Sequence, residues 1–252
     1  MTPTTPSLPT PLVKSVAVTG AGSGIGEATA RRLAADGHRV LLGGRRTDRL
    51  ERITSEITAA GGRAAFRRLD VTDAADTRAF VDAALERYGQ LDALVNNAGV
   101  MPLSPLDALR TEEWDRMLDV NVRGVLHGIA AALPVMRARG RGHIVNIASV
   151  GAYEVSPTAA VYCATKFAVR AISEGLRQES DGRIRVTLVS PGVTESELAD
   201  GITDPVAREA MRSYRAVALP AAAIADAIAY ALSQPPEVDV NEIVVRPAAT
   251  TG

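Results

Sequence analysis

Lysine is almost missing from this sequence: of its 28 basic residues two are lysine, Lys14 and Lys166, and the other 26 are arginine. A coding bias toward Arg, Ala and Gly accounts for the skew without reference to function. Cysteine is scarcer still, and the lone Cys163 excludes an intramolecular disulfide and fits a reducing compartment. The three histidines, His38, His127 and His143, show no mutual metal-ligand spacing, so no metal site is expected. A net charge of −1 leaves no excess of either sign and argues against a nucleic-acid footprint. No apolar run approaches the roughly 18 residues that span a bilayer. The N-terminal MTPTTPSLPTP has neither the basic nor the apolar region of a signal peptide. A soluble, cytoplasmic protein with no membrane partner is expected.

What is present is ordinary for a globular chain: 46% apolar and 23% charged residues over 252 positions, enough for one domain burying about three-quarters of its unfolded surface. Four prolines in the first eleven residues suggest a disordered arm over 1–12. From Val13 onward short β-branched runs alternate with helical patterns, the signature of repeated βαβ units around a parallel sheet. Strands are expected at about 13–19, 39–42, 63–69, 93–96, 143–147, 183–189 and 242–245. Helices are expected at about 24–36, 48–60, 73–88, 112–139, 158–180 and 221–232. Pro134 is expected to end or kink the fourth helix. The stretch near 195–215 reads as irregular, and no linker, repeat or second domain is visible.

The first strand runs into Thr19-Gly20-Ala21-Gly22-Ser23-Gly24-Ile25-Gly26 and then a helix. Glycines in a strand-to-helix turn permit positive φ and close approach of a pyrophosphate, whose charge suits the helix N-terminus. A ligand-free tight turn and a methyltransferase turn fit the same residues. About 20 residues on, where an acidic residue usually binds the adenosine ribose of NAD, stands Gly43-Gly44-Arg45-Arg46. No carboxylate is there to repel a 2′-phosphate, and guanidinium groups pair with phosphate, so NADP(H) is favoured over NAD(H). Arginine pairs also occur at Arg31-Arg32 and Arg67-Arg68, so position rather than composition carries this reading.

Tyr162 and Lys166 lie four apart in a predicted helix and share one face. A phenol ionises near pH 10, and an adjacent ammonium favours the phenolate, so the lysine is expected to lower the barrier to proton transfer. With five tyrosines and two lysines, about 0.04 chance Tyr-x-x-x-Lys matches are expected. Ser149 follows a strand at the carboxyl edge of the sheet, where its hydroxyl can bond a substrate carbonyl or simply cap a turn. Asn121, inside a long helical segment, can compete for backbone hydrogen bonds and hold a local kink.

Taken with Asn96-Asn97-Ala98-Gly99 and Pro191-Gly192, these motifs resemble the classical short-chain dehydrogenase/reductase (SDR) family, from Val13 to nearly the chain's end. The resemblance implies a single-domain Rossmann fold over 13–252, with about seven strands in a doubly wound sheet and a substrate-side segment at about 193–215. It implies an NADP(H)-dependent ketone or aldehyde reductase, or secondary alcohol dehydrogenase. In that family Tyr162 moves the proton, Lys166 also binds the nicotinamide ribose, Ser149 assists, and Asn121 positions a water relaying protons to Lys166. Cofactor contacts are implied for Gly20, Ser23, Gly24, Ile25, Gly26, Arg45, Arg46, Asp70, Val71, Asn97, Ala98, Gly99, Pro191 and Gly192. Asn97 could be mainly structural, and Asp70 an adenine contact or a loop carboxylate. Ser196 stands where family members commonly place a threonine on the nicotinamide carboxamide, with Thr194 near enough to serve instead. A homotetramer or homodimer is implied as well.

Cys163 reads as packing. Met101, Val150, Ala152, Glu154, Leu198 and Tyr214 lie on segments that could line a substrate pocket, Glu154 selecting polar or cationic substrates. A dinucleotide-binding regulatory or scaffold protein with a vestigial catalytic set is the alternative, and a sugar-nucleotide epimerase would need a larger C-terminal substrate domain.

Overall fold

The computed structural model describes residues 13–249; the arm at 1–12 and residues 250–252 lie outside them. Seven strands form one parallel sheet: β1 (Ser15–Thr19), β2 (Arg39–Gly44), β3 (Arg63–Arg68), β4 (Ala93–Asn96), β5 (Gly142–Ile147), β6 (Ile184–Pro191) and β7 (Glu242–Val245). Their order is β3-β2-β1-β4-β5-β6-β7, so β1 and β4 sit side by side at the point where chain direction across the sheet reverses. In open α/β sheets that switch point opens a crevice beyond the carboxyl ends of the strands.

Strand alternation divides the core between two faces. Val16 and Val18 of β1 pack with Val40, Leu42, Ile224 and Ile228 on one face. Ala17 between them packs with Leu41, Phe80, Leu94 and Ile144 on the other. The helices that cover these faces are α1 (Gly24–Ala35), α2 (Thr47–Ala59), α3 (Ala74–Tyr88), α4 (Thr111–Leu118), α5 (Gly124–Ala138), α6 (Ala160–Gln178) and α8 (Ala221–Ser233). Their ends follow local chemistry: the Asp73 carboxylate accepts from the N–H groups of Ala75 and Asp76 at the start of α3, and Gly89 at φ +74° closes it.

Two expectations need correction. Pro134 does not end its helix: α5 continues to Ala138, with Ala131, Ala132 and Met136 buried on either side of the ring and holding the helix against the sheet. The irregularity in this long segment lies earlier, where residues Asp119–Arg123 form a single π-type turn joining α4 to α5. The stretch read as irregular contains a ten-residue helix of its own, α7 (Pro205–Tyr214), begun by Pro205 in the first turn and by the Asp204 carboxylate accepting from Ala207 N–H. No helix among the described residues is long and apolar enough to cross a membrane.

Candidate active site

The turn after β1 is built for close backbone approach. Gly20 and Gly24 adopt φ of +66° and +51°, conformations that side-chain-bearing residues rarely adopt. A Cβ on Gly26 would stand 2.3 Å from the Gly20 carbonyl oxygen and 2.5 Å from Asn97 Nδ2. Asn97 closes this cradle from the neighbouring strand: its Nδ2 donates to the carbonyls of Thr19 (2.9 Å) and Gly20 (3.2 Å). The Thr19 hydroxyl accepts in return from the N–H groups of Asn97 and Ala98, both at 3.0 Å. The side chain of Asn97 is therefore committed to joining the two loops.

At the far end of the crevice, β2 ends at Gly44 and Arg45 and Arg46 follow, both exposed. Arg46 Nη2 donates to Ser23 Oγ at 2.9 Å, which holds the guanidinium against the glycine-rich turn. Its Nη1 meets Glu197 Oε2 at 2.7 Å, and the same carboxylate pairs with Arg49 through Oε1. Neither Glu197 nor Arg49 was singled out from the sequence. Asp70 accepts at one oxygen from the Thr72 hydroxyl (2.8 Å) and N–H (3.1 Å), and the hydroxyl bond is the main force holding its carboxyl below the usual range. It stiffens its own loop while still lining the crevice.

Tyr162 and Lys166 share a face of α6, and both are buried. Ser149, in extended backbone just past β5, accepts from Gly151 N–H at 3.1 Å, and a Cβ on Gly151 would lie 3.5 Å from its Oγ and 3.6 Å from Tyr162 Cε1, so the two side chains converge there. Burial pushes the Tyr162 phenol up to about 12, with the neighbouring Ser149 hydroxyl pulling the other way. Burial likewise pulls Lys166 down to about 8. Its Nζ donates to the Ile147 carbonyl at 3.0 Å and lies 5.7 Å from the centre of the Tyr162 ring. Desolvation sets the direction at both groups, and the ammonium is not among the causes that move the phenol.

Asn121 is 1% exposed and sits in the π-type turn. Its amide does not compete for its own helix's bonds, as sequence suggested, but captures a neighbouring segment. Oδ1 accepts from Val100 N–H (2.8 Å), and Nδ2 donates to the Val100 carbonyl (2.9 Å) and to Thr165 Oγ1 (3.1 Å). Thr165 in turn donates to the Tyr162 carbonyl at 2.6 Å. Asn121 is therefore tied to the tyrosine's helix through Thr165, a residue that the sequence reading passed over. Asn121 and Lys166 converge on Gly99, where an added Cβ would meet Asn121 Oδ1 at 3.4 Å and Lys166 Nζ at 3.9 Å.

These parts surround one cleft of about 1030 Å³. Every site residue named from sequence lines it except Gly26, beneath the turn, and Asn121, behind Val100. Thr194 and Ser196 both reach it: the Thr194 hydroxyl donates to the Gly192 carbonyl at 3.0 Å, and Ser196 Oγ accepts from Leu198 N–H. The substrate side is walled by Met101, Leu103, Val193, Val206 and Met211, the last two from α7. Ala152 is fully buried in the core instead, and Cys163 packs against Leu103 and Ile202. Glu154 lines the cleft, with Arg246 3.5 Å away as a partly exposed counter-charge. Among the described residues no group of three or more His, Cys, Asp or Glu could hold a metal ion.

The crevice, its positive-φ glycines and its basic far end fit a dinucleotide, with the pyrophosphate over the α1 N-terminus and the adenosine toward Arg45 and Arg46. Comparison with known proteins points the same way. The family model described as short chain dehydrogenase matches residues 14–207. An uncharacterised oxidoreductase of Staphylococcus saprophyticus is 44% identical over 239 residues, 94% of this chain and 96% of that protein. Among solved structures, an alcohol dehydrogenase from Thermococcus sibiricus complexed with 5-hydroxy-NADP superposes with a TM-score of 0.85 at 31% identity, covering 96% of this chain and 99% of that one. A short-chain dehydrogenase/reductase from Burkholderia phymatum in complex with NAD gives 0.85 at 28% identity, covering 94% and 90%.

Proposed function

The chain belongs to the short-chain dehydrogenase family and is an oxidoreductase acting on alcohol and carbonyl carbons, and from that premise we propose that it is an NADP(H)-dependent ketone or aldehyde reductase, or secondary alcohol dehydrogenase. The observation that carries this reading is that Ser149, Tyr162 and Lys166, the last one helical turn on, all line the cleft that the glycine-rich turn enters. When bound, the nicotinamide dinucleotide supplies or accepts the hydride.

The protein's own residues manage the proton and the charge. Tyr162, held neutral by burial, donates its hydroxyl proton to the carbonyl oxygen in reduction and recovers it in oxidation. Ser149 bonds the same oxygen and steadies the charge that develops on it. Lys166 holds the nicotinamide ribose and favours the phenolate once Tyr162 has given up its proton. Asn121 acts as a positioning residue, fixing Val100 and, through Thr165, the first turns of α6; a water held near it connects Lys166 to solvent. The apolar wall of Met101, Leu103 and Met211 favours substrates with apolar substituents on the carbonyl carbon.

Preference for NADP(H) is supported by Arg45 and Arg46 after β2 and by the absence of a carboxylate at that strand's end. A cytoplasmic homotetramer or homodimer fits the single buried cysteine and the exposed Leu118, Leu126 and Phe167 on the helices that pair subunits in the family. NADPH consumption against a panel of ketones and aldehydes tests the reading. Turnover confirms an enzyme, whereas tight cofactor binding without turnover across the panel favours a scaffold with a vestigial set. Arg45→Ala should raise the KM for NADPH far more than that for NADH, and equal effects would remove the 2′-phosphate role.

A further inference from the structure

The basic end of the crevice already holds a carboxylate, and it comes from the opposite wall. Glu197 opens the short 3-10 turn Glu197–Gly201 on the substrate-side segment, and its two oxygens engage Arg46 and Arg49. The segment is anchored where it stands. Arg215 Nη2 donates to the Ser196 carbonyl at 2.8 Å, Thr194 bridges to Leu219, and Ser196 Cβ packs over Gly24. The hydrogen bonds from Arg49 and then Arg46 hold the Glu197 carboxyl below its usual range. All three side chains are between 36% and 47% exposed, so each ion pair is weak and easily exchanged.

We propose that Glu197 is a cofactor-specificity residue: it serves Arg46 and Arg49 as an internal counter-ion that a 2′-phosphate must displace, and so weakens NADP(H) selectively while leaving NAD(H) untouched. This rests on the reading that Arg45 and Arg46 receive the 2′-phosphate. A phosphate dianion entering beside Glu197 meets two arginines whose charge one carboxylate already partly offsets, and a like charge at close range. An adenosine ribose without that phosphate has no such exchange to make.

The test is titration calorimetry on the full chain with 2′,5′-ADP and 5′-AMP, which differ by the 2′-phosphate alone. Glu197→Gln should tighten 2′,5′-ADP by about three- to tenfold at low salt, leave 5′-AMP unchanged, and lose most of this gain as salt is added. Asp200→Asn, which removes the same charge from the same turn, should change neither ligand. A Glu197→Gln variant whose affinity for 2′,5′-ADP is unchanged or weaker overturns the proposal, as does an equal gain in Asp200→Asn. The wild-type preference between the two ligands reports separately on the cofactor reading. If wild type shows no preference for 2′,5′-ADP and Glu197→Gln gains one, the proposal stands and the native preference for NADP(H) falls. If neither shows it, both fall.

Discussion

The Lys166 ammonium stands 5.7 Å from the centre of the Tyr162 ring and is tethered to the Ile147 carbonyl at 3.0 Å, one turn along α6 from the phenol that it is meant to assist. Both side chains are buried, so each is held toward its neutral form, the phenol up to about 12 and the amine down to about 8. The folded site stores the cost of desolvating both groups.

That storage is measurable as stability. Below about pH 8 Lys166 is protonated in both folded and unfolded chains, and the folded state carries the cost of burying the charge. Between about 8 and its ordinary 10.5 the unfolded chain binds the extra proton, so this group makes stability rise with pH. Lys166→Met should therefore be more stable than wild type at neutral pH by on the order of 2 kcal/mol, an advantage that fades toward pH 10. Urea unfolding at the two pH values checks this; a variant less stable than wild type at neutral pH contradicts it.

Tyr162 supplies a second titration. Its folded value lies above the ordinary 10.0, so it contributes a fall in stability as pH rises from 10 toward 12. Phenolate absorbance of wild type minus Tyr162→Phe should show a tyrosine still protonated when an ordinary phenol has ionised. A difference curve centred at or below the ordinary value would mean that the lysine, not burial, sets this phenol.

Asn121 satisfies both backbone groups of Val100 and reaches α6 through Thr165. Asn121→Ala leaves a donor and an acceptor without their partner and should lower stability by about 2–4 kcal/mol. Asn121→Asp keeps the acceptor for Val100 N–H but loses the donors and buries a charge, so it should not restore wild-type stability. Denaturant melts of the three proteins decide this, and an alanine variant within about 0.5 kcal/mol of wild type would deny the asparagine its structural part.

Gly26 has no room to grow, because a Cβ there would lie 2.3 Å from the backbone oxygen of Gly20. Gly26→Ala should force the turn apart, costing at least about 3 kcal/mol of stability and nearly all dinucleotide affinity. Gly61→Ala, at a positive-φ position with nothing within 4 Å of the added carbon, should cost less and spare binding. Calorimetric titration of NADPH into both variants separates the two effects.

Strands, their order of appearance and the glycine-rich turn were legible because each depends on local pattern: β-branched runs, helical periodicity, and glycines between a strand and a helix. Helix α7 carried a legible start in Asp204-Pro205 that the irregular reading passed over. A kink at Asn121 was legible from its place in a long helical segment, but neither its π-type form nor its partner Val100 was, because that contact is made only in three dimensions. Glu197 lies 151 residues from Arg46, so no spacing rule could join them. The lysine skew looks different in the structure as well. Both Lys14 and Lys166 donate to backbone carbonyls, of Leu232 and Ile147, and burial lowers the pKa of each. Arginine suffices for exposed charge, whereas these two positions use a compact ammonium that fits a confined space and can shed its proton.

The central claim is that Tyr162 moves the proton in a nicotinamide-dependent reaction on a carbonyl or alcohol carbon. Its most direct test is Tyr162→Phe, measured for NADPH affinity and for turnover of a carbonyl compound that wild type reduces. The expected result is unchanged NADPH affinity with turnover lowered by about 10²- to 10⁴-fold. Near-wild-type turnover in a folded, NADPH-binding Tyr162→Phe protein would contradict the account.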